Sequence, residues 1–208
     1  DWLERKAKVF KNIKKATEFG VDIPKGVLIV GMPGCGKSLC AKVTAASFDM
    51  PLIRLDMGKV MGKFVGESEA NMRRALNLSE AIAPCVLWVD EMEKAFSGLG
   101  NAGASSDVVI RLFGAFLTWL QENKSTVFVV ATANDITKMP PELLRKGRFD
   151  DIFYIGLPDI EERKKIFEIH IAKRRLKDLD KIDLRMLALK TEGFSGAGIE
   201  GVVSESVE

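Results

Sequence analysis

The sequence predicts an α/β fold: a five-stranded parallel sheet followed by a small helical unit. Three observations carry this. Short apolar runs alternate with helical patterns up to Ile155, a glycine loop joins the first run to a helix, and beyond Pro158 only helical patterns follow. The strands are read at Gly26–Val30, Pro51–Leu55, Cys85–Val89, Val127–Ala131 and Asp151–Ile155. Four of the five are near-continuous apolar runs, as strands covered on both faces require. Helices are read at Leu39–Phe48, Glu67–Ala83 and Val108–Glu122, then at Ile160–Leu176, Leu184–Thr191 and Ala197–Glu208. The organisation expected is a large α/β unit over 1–156 and a small helical lid over 157–208. The lid pattern stops in mid-helix without a capping signal and Asp1 is no natural start, so a truncated lid and a fragment are expected.

Composition bounds the function. Of 208 residues, 47% are hydrophobic, enough for a sizeable core. Lys and Arg number 31 against 29 Asp and Glu, a net charge of +2, which argues against a nucleic-acid partner bound over the whole surface. No run approaches the ~18 apolar residues of a membrane span, and the charged start lacks a signal-peptide core. Cys35, Cys40 and Cys85 are odd in number and lack metal-ligand spacing, which points to a reducing compartment such as the cytoplasm.

Gly31-Met32-Pro33-Gly34-Cys35-Gly36-Lys37-Ser38 fits the phosphate-binding P-loop pattern, with a strand before it and a helix after it. Glycines let backbone N–H groups converge on phosphate oxygens, and the helix N-terminus adds partial positive charge. Lys37 can reach the β- and γ-phosphates, and Ser38 can ligate Mg²⁺. Val86-Leu87-Trp88-Val89-Asp90-Glu91 is an apolar strand ending in two acids. Asp90 can orient Mg²⁺ there, while Glu91 can polarise an attacking water. Val129 to Asn134 is a second apolar strand with a polar end, and Asn134 can sit beside Glu91 if the two strands are neighbours. In Glu142-Leu143-Leu144-Arg145-Lys146-Gly147-Arg148-Phe149-Asp150, two arginines flank a glycine turn, and guanidinium forks suit a transferring phosphoryl group.

This order of motifs resembles the AAA+ ATPases, and within them the AAA subfamily in the narrow sense. The resemblance implies an AAA+ type P-loop NTPase fold that binds ATP or ADP with Mg²⁺. It places the nucleotide on Pro33, Gly34, Cys35, Gly36, Lys37, Ser38 and Leu39, with Ser38 and Asp90 on the metal. It makes Glu91 and Asn134 (the sensor 1 position) the water-activating pair, and Arg145 and Arg148 fingers acting on a neighbouring subunit's nucleotide. A homo-oligomer, commonly a hexamer, follows from that. Phe64-Val65-Gly66 is similar to a pore loop that grips extended polypeptide, and Gly196 and Ala197 resemble the segment that closes over adenine. His170 matches a helix histidine near the ribose or adenine. Gln121-Glu122-Asn123-Lys124 departs from the acidic-Gly turn of many protein-unfolding members. Cys35 replaces the commoner Thr, and its alkylation is expected to block ATP binding.

The opening Asp1-Trp2-Leu3, Ala83 to Trp88 and Leu117 to Glu122 are similar to AAA proteins encoded in plastid and cyanobacterial genomes, for which a plastid stroma would replace the cytoplasm. Three outputs fit the motifs: remodelling or threading of a protein substrate, an ATP-gated assembly switch or scaffold, and a nucleic-acid motor. The near-neutral charge weighs against the last.

Overall fold

A computed structural model describes residues 2–60, 67–96, 104–145 and 147–206. Phe64, Val65 and Gly66 lie outside the described residues. The chain opens with helices α1 (Trp2–Lys11) and α2 (Ile13–Glu18), and continues through β1 (Gly26–Gly31), α3 (Lys37–Phe48), β2 (Leu52–Asp56) and the short α4 (Met57–Val60). Then come α5 (Glu67–Ile82), β3 (Cys85–Asp90), α6 (Ala104–Glu122), β4 (Val127–Ala133) and β5 (Asp151–Ile155). The helices α7 (Ile160–Arg175), α8 (Leu184–Lys190) and α9 (Gly196–Glu205) end the fold.

The predicted five-stranded parallel sheet is present, in the order β2-β3-β4-β1-β5. Every residue of β1, β3 and β4 is buried, which is why these segments read as unbroken apolar runs. The outer strands β2 and β5 keep exposed positions, as sheet edges do. Register is set by Leu87 opposite both Ile53 and Val129, and by Val27 opposite Val130. Parallel pairing therefore brings the carboxyl ends of β3 and β4 side by side.

The chain forms two compact units, one built from the described residues up to Val30 with those of Ser38–Phe153, the other from Gly31–Lys37 with the described residues from Tyr154 onward. In the first, Leu28, Leu87, Val129, Met92, Leu112 and Phe116 belong to one buried cluster. Phe128, on β4, meets Phe10 of α1 and Phe48 of α3 at ring-centroid distances of 5.6 and 5.0 Å. In the second, Phe167 and Ile171 of α7 pack with Ile199 and Val203 of α9. Arg163, buried, donates Nε to Ala188 O (3.0 Å) and Nη1 to Pro158 O (2.8 Å), tying α7 to α8.

Helices α1 and α2 are absent from the sequence reading. Their charged residues mask a short apolar repeat, of which Ala7 and Phe10 are buried.

Candidate functional site

The acidic end of β3 is a cross-braced network. Asp90 is 7% exposed. Its Oδ2 accepts from Arg54 Nη2 (2.7 Å) and its Oδ1 from Thr132 Oγ1 (2.8 Å). The same Thr132 hydroxyl accepts the Glu91 N–H at 3.2 Å, so one β4 side chain holds both acids of β3. Glu91 has φ 54, the left-handed region that a Cβ disfavours by about 1–2 kcal/mol. Strain of this kind persists only where neighbours over-determine the backbone. The Glu91 carboxylate meets Lys94 Nζ at 2.6 Å, and this hydrogen bond is the main cause of a raised Lys94 pKa.

Asn134 follows β4 directly, as predicted, but its amide does not engage Glu91. Nδ2 donates to Glu93 Oε1 at 2.6 Å. Glu93 lies in the 3-10 turn Met92–Phe96, is 7% exposed, and has an Oε2 with no hydrogen-bond partner among the described residues. Arg54, Thr132, Glu93 and Lys94, which contact the candidate residues Asp90, Asn134 and Glu91, were not singled out by the sequence. The near-continuous apolar run of β4 hides Thr132 as one more buried position, while Arg54 and Lys94 look like ordinary surface charges.

In the glycine loop, Gly34 and Gly36 have φ 78 and 91. A Cβ on Gly36 would meet nothing within 4 Å, whereas one on Gly34 would lie 2.7 Å from Ser195 Oγ. Gly31 is required for another reason: its Cβ would fall 2.1 Å from the Ile155 carbonyl oxygen across the sheet. Lys37 Nζ donates to the carbonyls of Gly31 and Met32, both at 2.8 Å, so the ammonium curls over its own loop. Pro33, Gly34, Gly36, Ser38 and Leu39 are exposed and Cys35 is half-buried. Ser195 caps α9 by accepting the Gly198 N–H at 3.2 Å, and the Ala197 N–H donates to Gly34 O at 3.0 Å. Gly196 and Ala197 thus lie against the glycine loop. His170 faces α9, with Nδ1 3.6 Å from Glu200 Oε1, an oxygen that Arg174 Nη2 approaches at 3.8 Å.

Arg145 and Arg148 follow a 3-10 turn (Pro141–Leu144). Arg145 is largely exposed, 3.9 Å from Glu142, and Arg148 donates to the Glu142 carbonyl. Neither pairs with Asp90 or Glu91 in any contact among the described residues. The segment is anchored by Asp150, whose Oδ2 accepts the backbone N–H groups of Lys25 (2.9 Å) and Gly26 (3.0 Å). Lys25 Nζ returns the tie to Gln121 O (2.7 Å) and Gly147 O (3.3 Å).

These residues fit a Mg²⁺ nucleotide. An open left-handed loop with a lysine at its rim suits phosphate oxygens. Among the described residues no group of three or more His, Cys, Asp or Glu side chains could hold a metal ion. No described helix is long and apolar enough to cross a membrane.

Comparison with known proteins agrees. Residues 27–157 match the model of the ATPase family associated with various cellular activities (AAA). The chain is 50% identical over 206 residues to the uncharacterized AAA domain-containing protein ycf46 of Pyropia yezoensis, covering 99% of this chain and 41% of that protein. It is 50% identical to the same-named protein of Guillardia theta, covering 99% of this chain and 40% of that one. Identity to the mitochondrial inner membrane m-AAA protease component AFG3L2 of Mus musculus is 37%, over 94% of this chain and 25% of that protein. The chain thus spans about two fifths of the length of the ycf46 proteins it matches. Sheet, motifs and relatives converge: the chain belongs to the AAA family of ATPases.

Proposed function

We propose that the chain is the ATP-hydrolysing module of an oligomeric AAA motor, a homo-hexamer, that remodels or threads a protein substrate. The observation that carries the hydrolytic reading is the acid pair at the end of buried β3, with Thr132 holding Asp90 by its carboxylate and Glu91 by its amide. In this reading the glycine-loop amides and Lys37 would bind the phosphates, and Ser38 and Asp90 would hold Mg²⁺, which would supply charge neutralisation to the phosphates. Glu91 takes a proton from water that Asn134 helps to orient. Arg145 and Arg148 serve a neighbour's nucleotide. The exposure of Arg145 supports that assignment. Fingers supplied by a partner are worth ~10³–10⁵ in rate in GTPases, so a lone subunit would turn over slowly.

Work on protein is supported by the relatives named as ATP-dependent proteases, among them a zinc metalloprotease FtsH of Metamycoplasma arthritidis, 32% identical. With a single His this chain holds no H-E-x-x-H zinc motif of its own. Phe64, Val65 and Gly66 are proposed as the substrate-gripping segment, with His170, Gly196 and Ala197 at the base and ribose. The three free cysteines support a reducing compartment, cytoplasm or plastid stroma.

The test is specific ATPase activity against protein concentration for the chain and for Glu91→Gln. A steep rise that the variant lacks is expected. Flat, near-zero turnover with intact nucleotide binding would overturn the hydrolytic reading in favour of an assembly switch.

A further inference from the structure

The β2/β3 register pairs Arg54 with Trp88 and Asp56 with Asp90. Paired residues share a face of the sheet, and so do residues two apart on one strand. Arg54 therefore lies on Trp88, with its guanidinium carbon 4.7 Å from the ring centroid, and reaches diagonally to Asp90 Oδ2 at 2.7 Å. The indole offers its face, and its own N–H is buried without a partner among the described residues. Stacking and one charge-assisted hydrogen bond together hold the arginine in place. Asp90 is nearly buried at its end of the pair while Arg54 is half-exposed at the other.

We propose that Arg54 is a resident counter-cation for Asp90 that weakens its hold on bare Mg²⁺, so that the metal is accepted only together with nucleotide phosphates. The proposal rests on the reading of Asp90 as a Mg²⁺ group. Arginine stays protonated at every working pH, so its charge beside this carboxylate is permanent. Two donors occupy one site on each carboxylate oxygen, and an ionised carboxylate has roughly four. Room for a metal-bound water therefore remains. A dication arriving there meets a guanidinium at short range beside a nearly buried carboxylate, and like charges repel more strongly where the local dielectric is below that of water. The phosphates of a nucleotide supply the negative charge that offsets this repulsion. Arg54 is thus a positioning residue that sets metal dependence, and it takes no part in the reaction.

The test uses the full chain and two readouts other than turnover. One is the Mg²⁺ concentration that half-saturates binding of a fluorescent ADP analogue. The other is the thermal shift produced by Mg²⁺ alone. Arg54→Met keeps the apolar stem on Trp88 and removes the charge. It should lower half-saturating Mg²⁺ by about three-fold or more and give a Mg²⁺-only thermal shift that the native chain lacks. Arg54→Lys should restore the native values. Arg54→Gln, which keeps a donor but no charge, should follow Arg54→Met and replaces it if that variant does not fold. An unchanged or raised half-saturation in the uncharged variants would overturn the proposal. A native chain whose nucleotide binding ignores Mg²⁺ would overturn the metal role of Asp90, and the proposal with it; that failure shows in the native chain alone.

Discussion

Thr132→Val isolates the hydroxyl that braces the two acids. The side chain is 1% exposed, and valine copies its shape. The substitution removes a donor to the Asp90 carboxylate at 2.8 Å, worth about 1.5–3 kcal/mol for a charged acceptor. It also strips the Glu91 N–H of its acceptor at 3.2 Å, a longer and partly exposed bond worth about 1 kcal/mol. Burying a methyl in place of the hydroxyl returns about 0.8 kcal/mol. The net expectation is about 2–3 kcal/mol of lost stability, read as the shift in urea denaturation midpoint at constant slope. Thr132→Ser keeps the hydroxyl and should lose only about 1 kcal/mol for the missing methyl. Glu91 should also relax from φ 54 once its amide is untethered, so ATP turnover should fall more than nucleotide affinity. A Thr132→Val chain within about 0.5 kcal/mol of the native one, or no less stable than Thr132→Ser, would refute the reasoning.

Two further predictions concern the loop thiol and the amide. Burial raises the thiol pKa of Cys40 and of Cys85, and Cys85 is fully buried, so their thiolates are scarce near pH 7. One equivalent of maleimide should therefore modify half-buried Cys35 first, by mass spectrometry, and block binding of a fluorescent ADP. A first adduct on Cys40, or undiminished binding after Cys35 is modified, would show the expectation wrong. Asn134→Asp sets a second carboxylate where Nδ2 now lies 2.6 Å from Glu93 Oε1, and should cost about 2 kcal/mol or more. Adding Glu93→Gln should recover most of it by reversing the hydrogen bond, a coupling that a double-mutant cycle in urea measures.

Much of the sheet was legible because its inner strands are buried on both faces. Gly26–Val30, Cys85–Val89 and Val127–Ala131 each continue by one or two residues at the carboxyl end, and those residues lead into the glycine loop and the acid network. Strand ends escape sequence reading because polar residues there look like turns. The glycine loop and the acid pair were legible because chemistry restricts their residue types. Thr132, Arg54 and Glu93 were not, because what marks each of them is a neighbour distant in sequence: Asp90 for the first two, Asn134 for the third. Sheet order creates those neighbours, and no local pattern encodes it. The same limit applies to the partner of Asn134, since the Glu93 carboxylate that accepts its amide is brought there by the 3-10 turn after β3 and by no local pattern.

The charged groups of the candidate site differ in how readily their partners exchange. Glu91 with Lys94 and Arg145 with Glu142 are pairs three residues apart whose side chains are at least a third exposed. Such exposed pairs are weakly held, because water screens them and two long side chains must be ordered to form them. Lys37 rests on two carbonyls of its own loop, which a phosphate oxygen can replace as acceptor. Asp90 is different, since Thr132 and Arg54 grip it from two other strands and its side chain is 10% exposed. Breaking one partner of such a pair is costly, because the remaining charge stays buried. The groups assigned to proton transfer and to a neighbour's nucleotide are therefore the exchangeable ones. The group assigned to the metal is the fixed one, as expected of a residue whose task is geometry and not proton transfer.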